Sequence, residues 1–205
     1  MRKFQLMTTE NKNLYEGYHH NLTQAVEYAI SQNIQLHGIN LSDADLQHIN
    51  LDGVRLNDGN LKGANLSGAN MSEGEFINCD FSATDLSNAC LCYTNFSKCN
   101  FRYSFFAGID IAMSSLILCD FQGLSALQID YHKAFNCESL TFTHFENIIN
   151  FSTPPTIIKQ GKRIVAIFDN VMIFNDIQHT FDYIDTPESI LNHPVFKIQS
   201  LVDSK

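Results

Sequence analysis

No apolar run in this chain of 205 residues approaches the ~18 residues that a membrane-spanning helix needs, so no membrane association is expected. The first dozen residues, Met1 to Lys12, lack the apolar stretch of a secretory signal, and a cytoplasmic location is the expectation. Basic residues are scarce. Thirteen Lys and Arg stand against 22 Asp and Glu, a formal net charge of -9, which disfavours direct binding of nucleic acid or anionic lipid through charge and leaves basic partners open. The usual signatures of catalysis are missing too: there is no GxSxG elbow, P-loop or GxGxxG, and Gly161-Lys162 lacks the glycine-rich loop of a phosphate site. The eight histidines, from His19-His20 to His193, show neither HExxH nor HxH spacing, and no metal or cofactor is expected. What remains is 44% hydrophobic and 17% charged, the composition of a folded chain long enough for one domain with a real core.

The order of residues is far more informative than their proportions. Every fifth position from Leu41 is large and apolar: Leu41, Leu46, Leu51, Leu56, Leu61, Leu66, Met71, Phe76, Phe81, Leu86, Leu91, Phe96, Phe101, Phe106, Ile111, Leu116 and Phe121. With such residues filling roughly a quarter of an ordinary chain, the run has a chance probability on the order of 10⁻¹⁰. Two residues before each centre stands a small or slim one, among them Ala44, Ala64, Ala69, Cys79, Ala89, Thr94, Cys99, Ser104 and Cys119. A period of five fits neither the 3.6 of a helix nor the 2 of a strand. The chain must turn at each repeat, pointing one large and one small residue inward per side, while stacked coils bury these residues against one another. Cys79, Cys99 and Cys119 lie twenty apart in the small position, which predicts four pentapeptides per coil.

Runs such as Ala64-Asn65-Leu66-Ser67-Gly68, Ala44-Asp45-Leu46 and Cys79-Asp80-Phe81 resemble the A(D/N)LXX motif of pentapeptide repeat proteins. The resemblance covers residues 39–123 and implies an all-β solenoid, a right-handed quadrilateral β-helix. Members of that family include quinolone-resistance and topoisomerase-binding proteins that imitate DNA, together with many of unknown role, some encoded by bacteria and phages.

Four regions are expected. Residues 1–38 form an N-terminal segment whose capping helix spans about 21–32: Asn21 is its cap, and Leu22, Ala25, Val26, Ala29 and Ile30 lie on one face. Residues 39–123 are the regular β-helix. Residues 124–153 are an irregular final coil, in which Ile129-Asp130-Tyr131 and Thr143-His144-Phe145 resemble repeat centres at altered spacing. From Pro154-Pro155, a C-terminal unit of β-hairpin and short helix follows: Arg163 to Phe168 and Val171 to Phe174 are joined by Asp169-Asn170, a third strand spans Gln178 to Ile184, and a helix starts at Thr186-Pro187-Glu188-Ser189. Such a unit can cap, bind or form a homodimer.

Two outward features compete as sites. Residues 39–123 hold ten acids and four bases, and two adjacent faces carry Asp45, Asp52, Glu73, Asp85 and Asp110 with no Lys or Arg. These are the candidate acidic partner-binding faces of a DNA mimic directed at gyrase or a related topoisomerase, although Asp and Asn are also simply the residues the motif places before each centre. The regular rod spans only roughly 20 Å at ~4.8 Å per coil, against the ~34 Å of a DNA turn, so mimicry predicts a dimer. The second feature is apolar: Tyr93, Tyr103, Phe105, Met113, Ile117 and Leu118 point outward and form a candidate interface. Cys90 and Cys92 flank Leu91 and also point outward, a CxC pair able to take a metal or to oxidise. The expected function is a non-enzymatic, protein-binding scaffold or adaptor, with DNA mimicry as the alternative.

Overall fold

In the computed structural model, which describes residues 1–144, 147–160, 163–168, 171–174 and 177–180, all seventeen apolar residues at the period of five are buried. Of the small residues two places earlier, only Ala44 and Ile109 are half-buried rather than buried. The coil length is twenty residues. After β1 (Arg2–Met7) and β2 (Asn13–His19), three-residue strands mark it: β3 (Arg55–Asn57), β4 (Glu75–Ile77), β5 (Asn95–Ser97), β6 (Asn100–Arg102), β7 (Ser115–Ile117), β8 (Asp120–Gln122) and β9 (Asn136–Glu138). Strands β3, β4, β5, β7 and β9 stack in parallel on one side, Leu56 over Phe76, Phe96, Leu116 and Cys137. We call this the fourth side, and number the first, second and third by the centres Leu41, Leu46 and Leu51 that begin them. On those three, single bridges repeat every twenty residues, as in Asn40–Asn60–Asp80, Asp45–Asn65–Asp85 and Asn50–Asn70–Cys90, and on the first side they widen into the parallel pair of β6 and β8.

The corners explain how a period of five is possible. In every repeat the residue two after the centre is left-handed, with φ between 54° and 69°, and 95° at Gly123. Only five of these seventeen are glycine. The other twelve include Glu73, Ala83, Tyr93, Lys98, Tyr103, Met113 and Leu118, for which the conformation costs about 1–2 kcal/mol each. The ladder between coils offsets that cost: amides donate to the coil above, as Leu61 to Asp80 (2.8 Å) and Phe81 to Asn100 (2.8 Å). At three corners the amide after the turn also donates back to the centre carbonyl, as Ala64 to Leu61 (3.0 Å). At the fourth the chain is a strand up to the residue before the left-handed one, as Arg55–Asn57 before Asp58. There the thiols of Cys79, Cys99 and Cys119 reach the carbonyls of Leu56, Phe76 and Phe96 at 3.3, 3.4 and 3.7 Å, which gives these three cysteines a structural reason for their spacing. Within the rod, Phe76 stacks on Phe96 (5.1 Å, 14°), Phe81 on Phe101 (5.0 Å, 11°) and Phe101 on Phe121 (5.4 Å, 10°).

The ends depart from the repeat. At the N-terminus β1 and β2 pair as an antiparallel hairpin, with Arg2 opposite His19. No strand is expected here from the sequence, because Leu6 is the one buried residue in the pair and leaves little alternation to see. Helix α1 (Leu22–Ser31) follows, Asn21 accepting from the Gln24 amide at 2.8 Å, with Ala25, Val26 and Ala29 buried. The Glu27 carboxylate accepts from the Asn50 amide at 2.9 Å, which ties α1 to the first coil.

After Phe121 the spacing slips from twenty to twenty-one. Two 3₁₀ turns, Leu124–Gln128 and Tyr131–Lys133, replace regular corners and bury Ala126, Leu127 and Tyr131. The residue that stacks on Phe121 is Phe142 of β10 (Leu140–His144), three positions before the Phe145 that the Thr143-His144-Phe145 motif suggests as a centre and that lies outside the described residues. Strand β11 (Asn147–Phe151) then returns antiparallel to β10.

The chain divides into two compact units between Pro154 and Pro155. Among its described residues the second holds an antiparallel meander of β12 (Thr156–Gln160), β13 (Arg163–Phe168), β14 (Val171–Phe174) and β15 (Ile177–Thr180). Strand β12 is an addition to the sequence reading. The Asp169-Asn170 turn, the stretch 181–184 and the helix start at Thr186 lie outside the described residues.

Candidate functional site: the outward rows of the β-helix

Each repeat turns three residues outward, one before the centre and two after it. The residue before the centre works on its own backbone. Its side-chain oxygen accepts from the amide two residues on: Asn65 from Ser67 (3.1 Å), Asn70 from Ser72 (3.1 Å), Asp80 from Ser82 (2.9 Å), Asp85 from Ser87 (2.9 Å) and Asp110 from Ala112 (3.2 Å). Asparagines also bond between coils, Asn60 to Asn40 (3.1 Å) and Asn70 to Asn50 (3.2 Å). This is the physical content of the Asp/Asn preference, since only a short side chain with an acceptor oxygen can close this turn.

The five acids of the candidate faces fall accordingly. Asp45 and Asp85 stand in one row on the second side, with Asn65 between them and Phe105 next above. Asp110 stands on the third side, above Asn50, Asn70 and Cys90. Asp52 and Glu73 occupy the corner after the third side, in successive coils, and both are exposed. Asp85 and Asp110 are thus turn acceptors as well as charges.

The apolar residues do not form one patch. Tyr93 and Met113 share the corner after the third side, where Tyr93 is 61% exposed. Ile117 and Leu118 sit at the next corner, Leu118 exposed and Ile117 half-buried. Tyr103 lies two corners away from Tyr93, on the opposite edge of the rod, with Phe105 beside it on the second side; both are exposed. Beside the Tyr93 corner stands a further exposed aromatic that the sequence does not suggest. Phe135, whose amide donates to the Ser114 carbonyl at 2.8 Å, stands in the fifth coil just past that corner and is 74% exposed. It follows the slip in spacing, so the period that identifies the other outward residues gives no signal for it.

Cys90 and Cys92 point outward as expected, with their Sγ atoms 3.4 Å apart. Among the described residues, no group of three His, Cys, Asp or Glu side chains is placed to hold a metal ion. A cleft of about 430 Å³ lies beside the first coil, lined by Ile30, Asn33, Ile34, Gln35, Leu36, Gly53, Val54 and Arg55. No acid, histidine or cysteine lines it. Among the described residues, no helix is long and apolar enough to cross a membrane.

A four-sided β-solenoid of about four regular turns, with a filled interior and outward rows in fixed register, is a repeat scaffold. More particularly, its repeats are pentapeptide repeats: residues 34–72 and 79–112 match the Pentapeptide repeats family in eight copies. No curated protein matches the chain. Among solved structures, the chain is similar to the pentapeptide repeat protein Rfr23 from the cyanobacterium Cyanothece 51142, at 19% identity over 46% of this chain and 60% of that one, with a TM-score of 0.37. It is also similar to full-length QnrB1, a plasmid-mediated fluoroquinolone resistance protein, at 15% identity over 40% and 64%, with a TM-score of 0.26. A third is HetL from Nostoc sp. strain PCC 7120, a pentapeptide repeat protein involved in heterocyst differentiation regulation, at 20% identity over 42% and 56%, with a TM-score of 0.18. The chain thus spans less than two thirds of the length of each.

Proposed function

We propose that this chain is a non-enzymatic scaffold that binds a protein partner through the apolar corner of Tyr93 and Met113 and the adjoining Phe135. One observation carries the reading. Tyr93 and Met113 are large, exposed and left-handed, with φ of 58° each. Glycine, asparagine or aspartate serves the same turn at lower cost elsewhere in the rod, at Gly53, Gly63, Asn78 and Asn88. Side chains kept where the backbone disfavours them, and where water meets them, are accounted for by contact with something outside the chain. Tyr103 and Phe105, on the opposite edge, are a separate surface.

The second reading is DNA mimicry. It is favoured by the five acids on two adjacent sides that carry no Lys or Arg, and its partner is gyrase or a related topoisomerase, approached by a homodimer joined through the C-terminal unit. Both readings are tested by capturing partners from a bacterial lysate on three forms of the protein. These are the native chain, a variant with Tyr93, Met113 and Phe135 changed to Ser, and one with Asp45, Asp52, Glu73, Asp85 and Asp110 changed to Asn or Gln. The scaffold reading expects a partner lost only by the serine variant and held in high salt. A topoisomerase subunit lost by the neutralised variant and by high salt would replace it with mimicry.

A further inference from the structure

Cys90 and Cys92 use the outward positions on either side of Leu91, and neither packs in the interior as Cys79, Cys99 and Cys119 do. Their sulfurs are 3.4 Å apart in one chain segment, held by a buried centre between them. The bend is the same one that lets Asp85 and Asp110 reach the amide two residues on, so the two side chains converge rather than run parallel. A disulfide needs the sulfurs at ~2.0 Å, a closure of about 1.4 Å from the separation seen. Cys90 has a further partner: its Sγ lies 3.2 Å from the Ser72 hydroxyl of the coil below, which is itself 2.8 Å from Asn70 Oδ1.

We propose that Cys90 and Cys92 are a redox-modifiable site on the third side of the β-helix, forming a reversible intramolecular disulfide on exposure to a peroxide. The partner reading above is independent of it.

The two thiols divide the work. Burial acts to raise the Cys90 thiol, but hydrogen bonds from Ser72 and Cys92 outweigh it and leave its pKa below the ordinary thiol value. Cys92 is pushed up to about 12, by burial first and then by Cys90 and Asp110. Cys90 is therefore the attacking thiolate and Cys92 the resolving thiol. The Cys90 thiolate attacks hydrogen peroxide: a sulfur–oxygen bond forms, the oxygen–oxygen bond breaks, and hydroxide leaves, taking up a proton to become water. Cys92 then attacks the sulfenic sulfur, the sulfur–sulfur bond forms, and the hydroxyl departs as a second water with the proton Cys92 gives up. In sum two thiols and one peroxide give one disulfide and two waters, the sulfurs losing two electrons and the peroxide gaining them. Both cysteines are half-buried and outward, so a disulfide between them is reached by thiols, which return it to the dithiol.

The test uses the full chain, reduced and then treated with hydrogen peroxide under native conditions, blocked with N-ethylmaleimide and digested with trypsin. The peptide from Gly63 to Lys98 is expected to lose two hydrogens, with Cys90 and Cys92 unblocked and linked, and to recover both on treatment with dithiothreitol. Cys92→Ser should trap a sulfenic acid on Cys90, detected as a dimedone adduct. Cys90→Ser should give little or no adduct on Cys92. Both variants replace half-buried thiols by an isostere, and unchanged circular dichroism melting confirms that they are folded. Blocked thiols at both positions after peroxide, a bond from either cysteine to Cys137 or to a second chain, or equal adducts on the two single variants would each overturn the proposal.

Discussion

Replacing Phe96 by alanine tests the core at its most crowded point. Phe96 is 1% exposed. Its ring stacks on Phe76 at 5.1 Å and meets Phe81 and Phe101 edge-on at 5.9 and 5.2 Å. Phenylalanine-to-alanine changes in cores cost about 3–5 kcal/mol, and each aromatic pair contributes about 0.5–1.5 kcal/mol beyond its buried area. Three such pairs put Phe96→Ala at the upper end, about 4–5 kcal/mol. Relaxation will recover little, because β5 is held in register by β4 below and β7 above and cannot move inward without breaking both ladders. For a chain of this length 1 kcal/mol moves the midpoint by about 2–4 °C, so the melting temperature should fall by roughly 10–15 °C. Phe96→Leu keeps most of the volume and should cost only about 1–1.5 kcal/mol. The assay is urea unfolding followed by far-ultraviolet circular dichroism. If the alanine variant loses less than about 1 kcal/mol, or no more than the leucine variant, Phe96 is not stacked between coils and the twenty-residue register is wrong.

The other side-chain roles yield smaller effects. Ser114 Oγ is buried without a hydrogen-bond partner; since an unpaired buried hydroxyl costs about 1–3 kcal/mol, Ser114→Ala should be neutral or stabilising by about 1 kcal/mol in the same urea unfolding. Ser104, by contrast, donates to the Phe81 carbonyl at 2.6 Å, and Ser104→Ala should cost about 1 kcal/mol. Asp85→Asn keeps the acceptor for the Ser87 amide and should change stability by less than about 0.5 kcal/mol, whereas Asp85→Ala should lose about 1 kcal/mol; equal losses would refute the turn role.

How much could be read from the residues depends on which interaction set each position. The centres were legible because burial is unforgiving: a polar residue at any of the seventeen would sit in the stacked interior. The Asp or Asn before each centre was legible as a pattern, but its turn-closing bond was not, since the same residues read equally well as surface charge. The left-handed corners were not legible at Tyr93, Tyr103, Met113 or Leu118, where local preference points away from the conformation and the ladders above and below impose it. The split of the apolar residues between opposite edges follows from the register, once coils rather than sequence neighbours are compared. Phe135 and Phe142 were hidden by one inserted residue, which shifts every later side chain out of the period.

The reversed strand β11 sets a limit on growth. Up to β10 the first-side ladder is a translation, each rung a copy of the one before, and a translation has no natural stopping place: a second molecule offering a rung of the same polarity would extend it end to end. Strand β11 presents the opposite polarity. What pairs beyond it must either run against it or break the sequence of directions, so on this side the repeat cannot propagate into a head-to-tail filament. The fold thus writes its own full stop in the same hydrogen bonds that build it.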